Sequence, residues 1–467
     1  MQISITSSIL MFLLLLFLAL QMFIVIVLLI RPILRYVIGR EIKNALGRLL
    51  SDKYTQNLME TYPAGKRISP LNILEINLRA KDGKTITRPL GSPKMFPGFD
   101  NLMFSPRLMT ALSLTENTPI NMQVTIGIKA HKPLIINIPI MIGAMAYGIA
   151  LSDRAKIALA RAAKGLKTTT CSGEGPFLPE ERAEAGKYVL QICRWAWGAR
   201  TQEQIDSADM LEVQMSQGAD MGSVLVEAAE FQGRAQELSG LAPNEPAISF
   251  PAPPGIQKQS DWPGFMKDLR KKAKDIPIAL KLMATDHLED DLTMAIDLGF
   301  DAIIIDGAQG GSHATTPIKQ DDFGIPTLMA LIRAQRFLKK QGVRDKISLI
   351  IAGGFFTPGE CLKALALGAD AIYMATVPLF ALTHGQVEKV IPWEPPTTLV
   401  FYDSPTNTKL DIEHAATNVI NAISSIVLEI EEGMRALGKT SLKELSPKDL
   451  VALDSITAEI TGVKRAY

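Results

Sequence analysis

The chain has 467 residues, of which 47% are hydrophobic, and a formal net charge of +1 at pH 7. This length accommodates one domain of roughly 250 residues with additional segments, and the balanced charge argues against a nucleic-acid-binding protein. Three cysteines, Cys171, Cys193 and Cys361, are widely spaced. We therefore predict no disulfide framework and no metal site formed by neighbouring residues.

An uncharged apolar run, Ile9–Ile30, lies near the beginning of the chain. A helix of about 22 residues spans the roughly 30 Å hydrocarbon core of a bilayer, and this run is longer than the apolar part of a signal peptide. Basic residues follow it closely, namely Arg31, Arg35, Arg40, Lys43 and Arg48. The positive-inside rule predicts a retained single-pass anchor at residues 1–30, with the rest of the chain in the cytoplasm.

Residues 31–98 are interpreted as a linker and lead-in to the main domain. A helix at roughly residues 33–50 fits either an amphipathic segment on the membrane surface or a solvated linker. Turn-forming prolines and glycines then surround one strand-like run, Ile73–Leu78. No chemistry is predicted for this part of the chain.

From about residue 139, short apolar runs alternate with amphipathic stretches. The runs are Ile140–Met145, Lys167–Cys171, Met210–Met215, Ala247–Phe250, Ile278–Met283, Ala302–Asp306, Leu349–Ala352 and Ala371–Ala375. Such a pattern predicts an α/β fold, a (β/α)8 TIM barrel over residues 99–380. A doubly wound open sheet is disfavoured, because its nucleotide site needs a glycine fingerprint after the first strand.

Residues 381–467 are predicted to form a C-terminal helical extension that packs on the barrel. It begins with a proline-rich stretch and contains a long apolar-faced helix at roughly Ile412–Leu437. The last part, with the sequence SLKELSPKDLVALD, is predicted to hold a short capped helix.

The stretch Leu349–Thr376 reads as strand, glycine turn, helix and strand. Gly353 and Gly354 follow the apolar run directly, before the start of a helix. Backbone N–H groups in such a turn can hold a phosphate, although a glycine pair also serves simply to make a tight turn. Because phosphates commonly bind the loops after strands seven and eight of a barrel, the position favours the phosphate interpretation.

Several loop sequences resemble the flavin-binding synthase domain of glutamate synthase in one collinear order over about residues 100–467. They are PIMIGAMAYG, CSGEGPFLPEER, SADMLEVQMSQGA, IALKLM, DGAQGGSHATTP and IAGGFFTPGECLKALALGADAIYMAT. The resemblance implies a barrel that holds FMN. The matching cofactor-binding positions are Ala144, Met145, Ala146, Gln191, Gln214, Lys281, Gly310, Gly311, Gly353, Gly354, Ala375 and Thr376.

Three residues are candidates for catalysis. Lys281 matches the lysine near the N1/O2 edge of the flavin, where a fixed cation stabilises negative charge on the reduced ring; a salt-bridged strand-end lysine is the alternative. Glu174 matches a residue beside the substrate, or is a solvated loop carboxylate. His313 is a candidate general acid near neutral pH, or a structural loop histidine.

The chain also departs from the family pattern. Asp220 stands where the family has a substrate-binding lysine, Gln214 also replaces a lysine, and Ala352 replaces the acid of a DGG motif. An aspartate at position 220, in place of a lysine, opposes binding of a substrate with two negative charges. Residues 376–412 contain no cysteine, so we expect no bound iron–sulfur cluster. We also expect no glutaminase domain before the barrel, and a separate electron donor.

The sequence thus predicts a membrane-anchored FMN-dependent oxidoreductase resembling glutamate synthase. It would transfer a hydride to or from the C=N or C–N bond of an amino or imino acid, with a small amino or keto acid as substrate. Two alternatives stay open. One is a related flavin barrel that uses another amine, as methylglutamate synthases do, and the other is a flavin-binding scaffold on the membrane with a decayed active site.

Overall fold

The computed structural model describes residues 2–313 and 315–467. Its contacts divide the chain into two units, one that ends at Ile86 and one that comprises Thr87–Tyr467. The first unit contains the helices α1 (Gln2–Ser51), α2 (Thr61–Ile68) and α3 (Pro70–Asp82).

Helix α3 overturns the prediction of a strand at Ile73–Leu78. The helix has Pro70 in its first turn, and the Ser69 hydroxyl accepts a hydrogen bond from the Asn72 N–H. It ends at Gly83, whose φ of 63° lies in the left-handed region. These are ordinary start and stop signals of a helix, and they prevail over the short apolar run between them.

Helix α1 joins the predicted apolar span and the predicted following helix into one element that continues through Pro32. Its most apolar window has a mean hydropathy of 3.2 and is 0% buried. The length and composition suit a membrane span, and a signal sequence at the same place in a chain shares these features.

The second unit contains the remaining elements. Its helices are α4 (Asp153–Gly165), α5 (Pro179–Glu184), α6 (Gln202–Asp206), α7 (Arg234–Ser239), α8 (Trp262–Ala273), α9 (Leu288–Asp297), α10 (Pro317–Asp321), α11 (Thr327–Lys340), α12 (Pro358–Ala366), α13 (Thr376–Thr383), α14 (Ile412–Ala436) and α15 (Ser455–Thr461). Its strands are β1 (Leu102–Phe104), β2 (Val124–Ile126), β3 (Leu134–Ile136), β4 (Ile140–Ile142), β5 (Thr169–Cys171), β6 (Lys187–Ile192), β7 (Met210–Gln214), β8 (Leu225–Val226), β9 (Ala247–Ile248), β10 (Ile278–Met283), β11 (Ala302–Asp306), β12 (Ser348–Ala352), β13 (Ala371–Met374) and β14 (Leu450–Ala452).

Eight parallel strands of the described chain form a nearly closed barrel, which confirms the predicted fold. The hydrogen-bonded order is β4-β13-β12-β11-β10-β7-β6-β5. One strand of the prediction was wrong: the third barrel strand is β6, whereas the predicted run Ala247–Phe250 contributes β9, which pairs antiparallel with β8 outside the barrel. Lys187 and Gln191 interrupt the apolar pattern of β6, so the run was not recognised.

Smaller elements cover the barrel. The β2–β3 hairpin packs its apolar residues with those of the barrel interior, and the Gly127 N–H donates to the Ser348 hydroxyl at 3.0 Å. Helix α14 confirms the predicted C-terminal helix and packs on α4, α12 and α13. The short helix predicted after it consists of two 3₁₀ turns, and the next residues form β14, which pairs with β1.

Side chains complete the barrel between β4 and β5, the two ends of the hydrogen-bonded order. The Thr168 hydroxyl donates to the Ile140 carbonyl at 2.6 Å at the beginning of these strands. At their carboxyl ends, the Lys156 ammonium on α4 donates to the carbonyls of Met145 at 2.6 Å and Cys171 at 2.7 Å. Lys156 also lies 3.0 Å from Glu181, and both side chains are only 1% exposed.

We predict that Lys156→Met lowers the free energy of unfolding by about 3–5 kcal/mol, because it leaves the buried Glu181 carboxylate without its cation. Two carbonyls would lose a donor as well. Denaturant unfolding of the purified protein measures the change. Lys164→Met, an exposed position on the same helix, is the control and should stay within about 0.5 kcal/mol. Equal effects in the two variants would contradict this role of Lys156.

Candidate active site

Two adjoining clefts open where the barrel strands end. The first, the glycine cleft, encloses about 500 Å³ of empty space. It brings together many residues that the sequence predicted, namely Ala144, Lys281, Gly310, Gly311, Gly353, Gly354, Ala375 and Thr376. The predicted cofactor loops after β11, β12 and β13 therefore line one space.

At the end of β12, the backbone conformation in the glycine cleft is one that favours glycine. Gly353 and Gly354 have φ values of 104° and 76°, a region that other residues rarely adopt. A Cβ atom on Gly354 would lie 2.7 Å from the Gln309 side chain. The Thr327 hydroxyl lies 2.8 Å from the Gly353 carbonyl and holds the turn in place. Helix α13 begins at Thr376 beside this turn, so its first N–H groups can also take part in anion binding.

A lysine and an aspartate face the same cleft. Lys281 on β10 is 3% exposed, and its ammonium donates to the Gln217 side chain at 2.9 Å. Asp306 on the neighbouring β11 is 6% exposed, and its Oδ1 has no hydrogen-bond partner in the described chain. Burial raises the pKa of Asp306, while Lys281 acts in the opposite direction. The cleft thus offers a fixed cation and an unused buried acceptor.

The second space, the apolar cleft, has a volume of about 770 Å³, part of which is open to solvent. It shares Ala144, Gln217 and Thr376 with the glycine cleft, among other residues. Its wall is mostly apolar, with the side chains of Leu90, Ile149, Leu151, Leu379 and Phe401. The polar groups that face it include the two predicted residues Glu174 and His313, and the predicted flavin loop residues Met145 and Ala146 also line it.

Behind Glu174 lies a buried cluster of charges around Arg194. The guanidinium, 1% exposed, lies 3.2 Å from Asp220 and 3.6 Å from Glu174. It also donates to the Gln214 side chain at 3.1 Å and to the Gly222 carbonyl at 2.6 Å. A cation from the loop after β6 therefore holds two acids from the loops after β5 and β7.

The surroundings of Glu174 change its acidity. Burial raises its pKa well above the ordinary value, and the nearby Asp220 carboxylate adds to this, while Arg194 opposes it. Two carboxylates that share one guanidinium cannot both ionise easily. Glu174 therefore suits proton exchange with a molecule in the apolar cleft.

His313 packs its ring on Phe401 with centroids 4.3 Å apart. Burial lowers its pKa, although Asp403 acts in the opposite direction. The ring is therefore mainly neutral at neutral pH and suits accepting a proton better than donating one. Within the described residues its Nδ1 has no hydrogen-bond partner. The predicted catalytic role of His313 stays a prediction.

Gln191 and Gln214 lie in the barrel interior beside the clefts, and neither belongs to the described residues that line them. Gln191 donates to the buried Glu212 carboxylate at 2.6 Å, and Gln214 accepts from Arg194. The Tyr373 hydroxyl donates to the same Glu212 at 2.8 Å. The predicted flavin contacts of the two glutamines stay predictions.

Sequence reasoning missed Arg194 and Asp306 as members of the site. Asp306 stands in the DGAQGG motif after an apolar run, so its position at a strand end was a usable signal. Arg194 follows the unrecognised strand β6, and its partner Asp220 is 26 residues further along the chain. Only the fold brings this pair together.

Known proteins similar to this chain belong to one family. Residues 95–440 match the family model described as a conserved region in glutamate synthase. A glutamate synthase large subunit-like protein of Rhizobium meliloti is 29% identical over 426 residues, which cover 84% of this chain and 93% of the relative. An archaeal-type glutamate synthase [NADPH] of Dehalococcoides mccartyi is 25% identical over 421 residues, covering 85% and 84%.

Among solved structures, a mutant flavocytochrome b2 with sulfite bound has a TM-score of 0.49 and 17% identity. The alignment covers 78% of this chain and 80% of that chain. The TM-score and the identity are too low to support an inference about function.

We predict that Glu174 makes the protein less stable as the pH rises. Its pKa is raised in the folded state, so above about pH 4.5 the unfolded chain releases a proton that the folded chain retains. The free energy of unfolding of Glu174→Gln should therefore fall less between pH 4.5 and neutrality than that of the native chain. The difference between the two slopes should be up to about 1.4 kcal/mol per pH unit.

Urea unfolding at several pH values measures this difference. Glu181 and Asp306 also have raised pKa values, so the readout is the difference between variant and native chain. Glu432→Gln, at an exposed position of α14, serves as the control. Parallel pH profiles of the native chain and Glu174→Gln would contradict the assigned acidity.

Proposed function

We propose a function from one premise: the chain belongs to the glutamate synthase family. It is an FMN-dependent oxidoreductase of this family. The reaction that we propose is hydride transfer to or from the C=N or C–N bond of an amino or imino acid. The observation that carries the proposal is the meeting of Lys281 with the glycine turn after β12 and the loop after β13, at Ala375 and Thr376, in one cleft.

The residues of the glycine cleft fit an FMN group. The turn at Gly353 and Gly354 and the first turn of α13 would hold the phosphate through backbone N–H groups. The buried Oδ1 of Asp306, which has no hydrogen-bond partner in the described chain, would accept hydrogen bonds from hydroxyl groups of the sugar chain. When bound, the cofactor supplies a ring that accepts or donates a hydride.

The chain itself contributes charge and proton transfer. Lys281, held by Gln217 at 2.9 Å, would stabilise negative charge that develops at the ring edge, because its position is fixed before the reaction. Glu174 and the neutral His313 face the adjoining cleft. Either can take a proton from a substrate nitrogen or return it. The apolar wall excludes water from that exchange.

A second candidate substrate class is an amine without the acid groups of glutamate. Asp220 and Arg194 favour this class, because Asp220 occupies the position of a family lysine and engages the nearby cation at 3.2 Å. Reduction of a C=N bond takes its electrons from a separate donor, whereas oxidation of an amine passes electrons from the reduced cofactor to a separate acceptor. We further propose that α1 anchors the protein in a membrane with the barrel in the cytoplasm, as the basic residues after the apolar run indicate.

We expect the purified full chain to contain FMN and Lys281→Met to slow reoxidation of the reduced cofactor by its substrate by about 10–100-fold. Loss of a charge-assisted hydrogen bond of about 1.5–3 kcal/mol gives this range. Stopped-flow absorption of the flavin after chemical reduction measures it, with glutamate formation from 2-oxoglutarate and ammonia as one assay. Lys340→Met, an exposed position, is the control. Purified protein without FMN would overturn the proposed function. It would also overturn the alternative of a scaffold that only binds flavin.

The orientation in the membrane has its own test. Replacing Arg31, Arg35 and Arg40 together by serine should increase the fraction of chains whose barrel lies outside the cytoplasm. Protease protection of the barrel in sealed vesicles measures this fraction. Replacing Lys267, Lys271 and Lys272 on α8 by serine removes the same number of positive charges and serves as the control. Unchanged topology in the first variant would show that these charges do not orient the chain.

A further inference from the structure

We infer that the apolar cleft binds an amine with an apolar body and no carboxylate, with the nitrogen at Glu174. This inference rests on the proposed function, since it names the substrate class of the same site. Of the two candidate substrate classes, it selects the amine without the acid groups of glutamate. The argument depends on which charges in and around the cleft are still available to a ligand.

The wall of the cleft determines what kind of carbon frame it accepts. Leu90, Ile149, Leu151, Leu379 and Phe401 surround a space of about 770 Å³. Apolar surface of a ligand gains free energy when it leaves water for such a wall, whereas a charged group there loses its hydration. The space suits a ligand with a ring or a branched hydrocarbon better than a short chain with an acid at each end.

Cations that could hold a carboxylate are already engaged. Of the residues that the structure describes around the apolar cleft, none is a lysine or an arginine. Arg194, directly behind, gives its N–H groups to Asp220, Gln214 and Gly222. Lys281 donates to Gln217 and faces the glycine cleft. A dicarboxylate in the apolar cleft would therefore meet no lining lysine or arginine for either acid group.

Arg88 directly precedes the lining residues Pro89 and Leu90 in the chain. It engages Asp321 at 2.5 Å and donates to the Gln320 side chain at 3.1 Å. This arginine is therefore also committed to protein groups.

Two polar residues of the lining call for a donor. Glu174 lines the cleft with 12% of its side chain exposed, and its buried Oε1 lies 3.6 Å from Arg194 without a hydrogen bond in the described chain. His313 also lines the cleft, and its buried Nδ1 has no hydrogen-bond partner among the described residues. An ammonium or amine provides N–H donors for both groups, and an ammonium beside Glu174 favours the ionised form of that carboxyl. A carboxylate provides neither.

The test uses the FMN-loaded full chain in detergent and three ligands. Benzylamine and benzoate share a ring and differ in the charged group, and 2-oxoglutarate is the dicarboxylate. Calorimetry gives the affinities, and perturbation or bleaching of the visible flavin absorption locates binding beside the cofactor. We expect benzylamine to bind at least about tenfold more tightly than either acid. Failure of benzylamine to bind, or tighter binding of either acid, would overturn the inference.

Variants separate the role of the charged residues from that of the apolar wall of the cleft. Glu174→Gln should weaken benzylamine binding about 10–100-fold and leave benzoate unchanged or tighter. Asp220→Asn should free Arg194 and lower the ratio of benzylamine to 2-oxoglutarate affinity at least about tenfold. Phe401→Ala should weaken benzylamine more than methylamine. Glu432→Gln is the control that should change none of these. Unaltered benzylamine affinity in Glu174→Gln overturns the inference even if Asp220→Asn does not fold.

The inference and the proposed function fail in different ways. Purified chain without FMN contradicts the proposed function, whereas calorimetry still reports amine binding to the cleft. FMN-loaded chain that binds 2-oxoglutarate more tightly than benzylamine retains the oxidoreductase function and contradicts only the amine inference.

Discussion

The buried ammonium of Lys156 is the interaction on which the barrel and its site both depend. It bridges the carboxyl ends of β4 and β5, the two barrel strands at the ends of the hydrogen-bonded order, by donating to the Met145 and Cys171 carbonyls. Its charge is balanced by Glu181 at 3.0 Å. A buried charge is tolerated only with such complete pairing. Since Met145 lines the apolar cleft, the same contact that closes the barrel also positions a wall of the site.

The two clefts are built by different means. The glycine cleft depends mainly on backbone geometry, at Gly353 and Gly354, and on a single fixed lysine. The apolar cleft depends mainly on side chains, and two of them, Leu151 and Leu379, also belong to the hydrophobic core around the barrel.

Two acids of the site are held in different ways. Asp306 lies directly opposite Ala352 in the β11–β12 register and has an unused carboxyl oxygen. Asp220 lies against Arg194. The guanidinium neutralises the Asp220 carboxylate and is then engaged with it. The electrostatic character of the site is therefore set by pairs rather than by single substitutions.

The sequence alone determined the barrel, most of its strands, the long C-terminal helix and the loops that line the clefts, because buried parallel strands and glycine turns leave local signals. It failed at β6, where Lys187 and Gln191 interrupt the apolar run, and at α3, where helix start and stop signals outweigh Ile73–Leu78. Two residues that it named, Glu174 and Lys281, line the clefts, but it interpreted Asp220 as an isolated charge. Only the tertiary structure decided that Asp220 is held by Arg194, because an ion pair between loops of different strands depends on how the strands are arranged around the barrel, and no local periodicity encodes that distance.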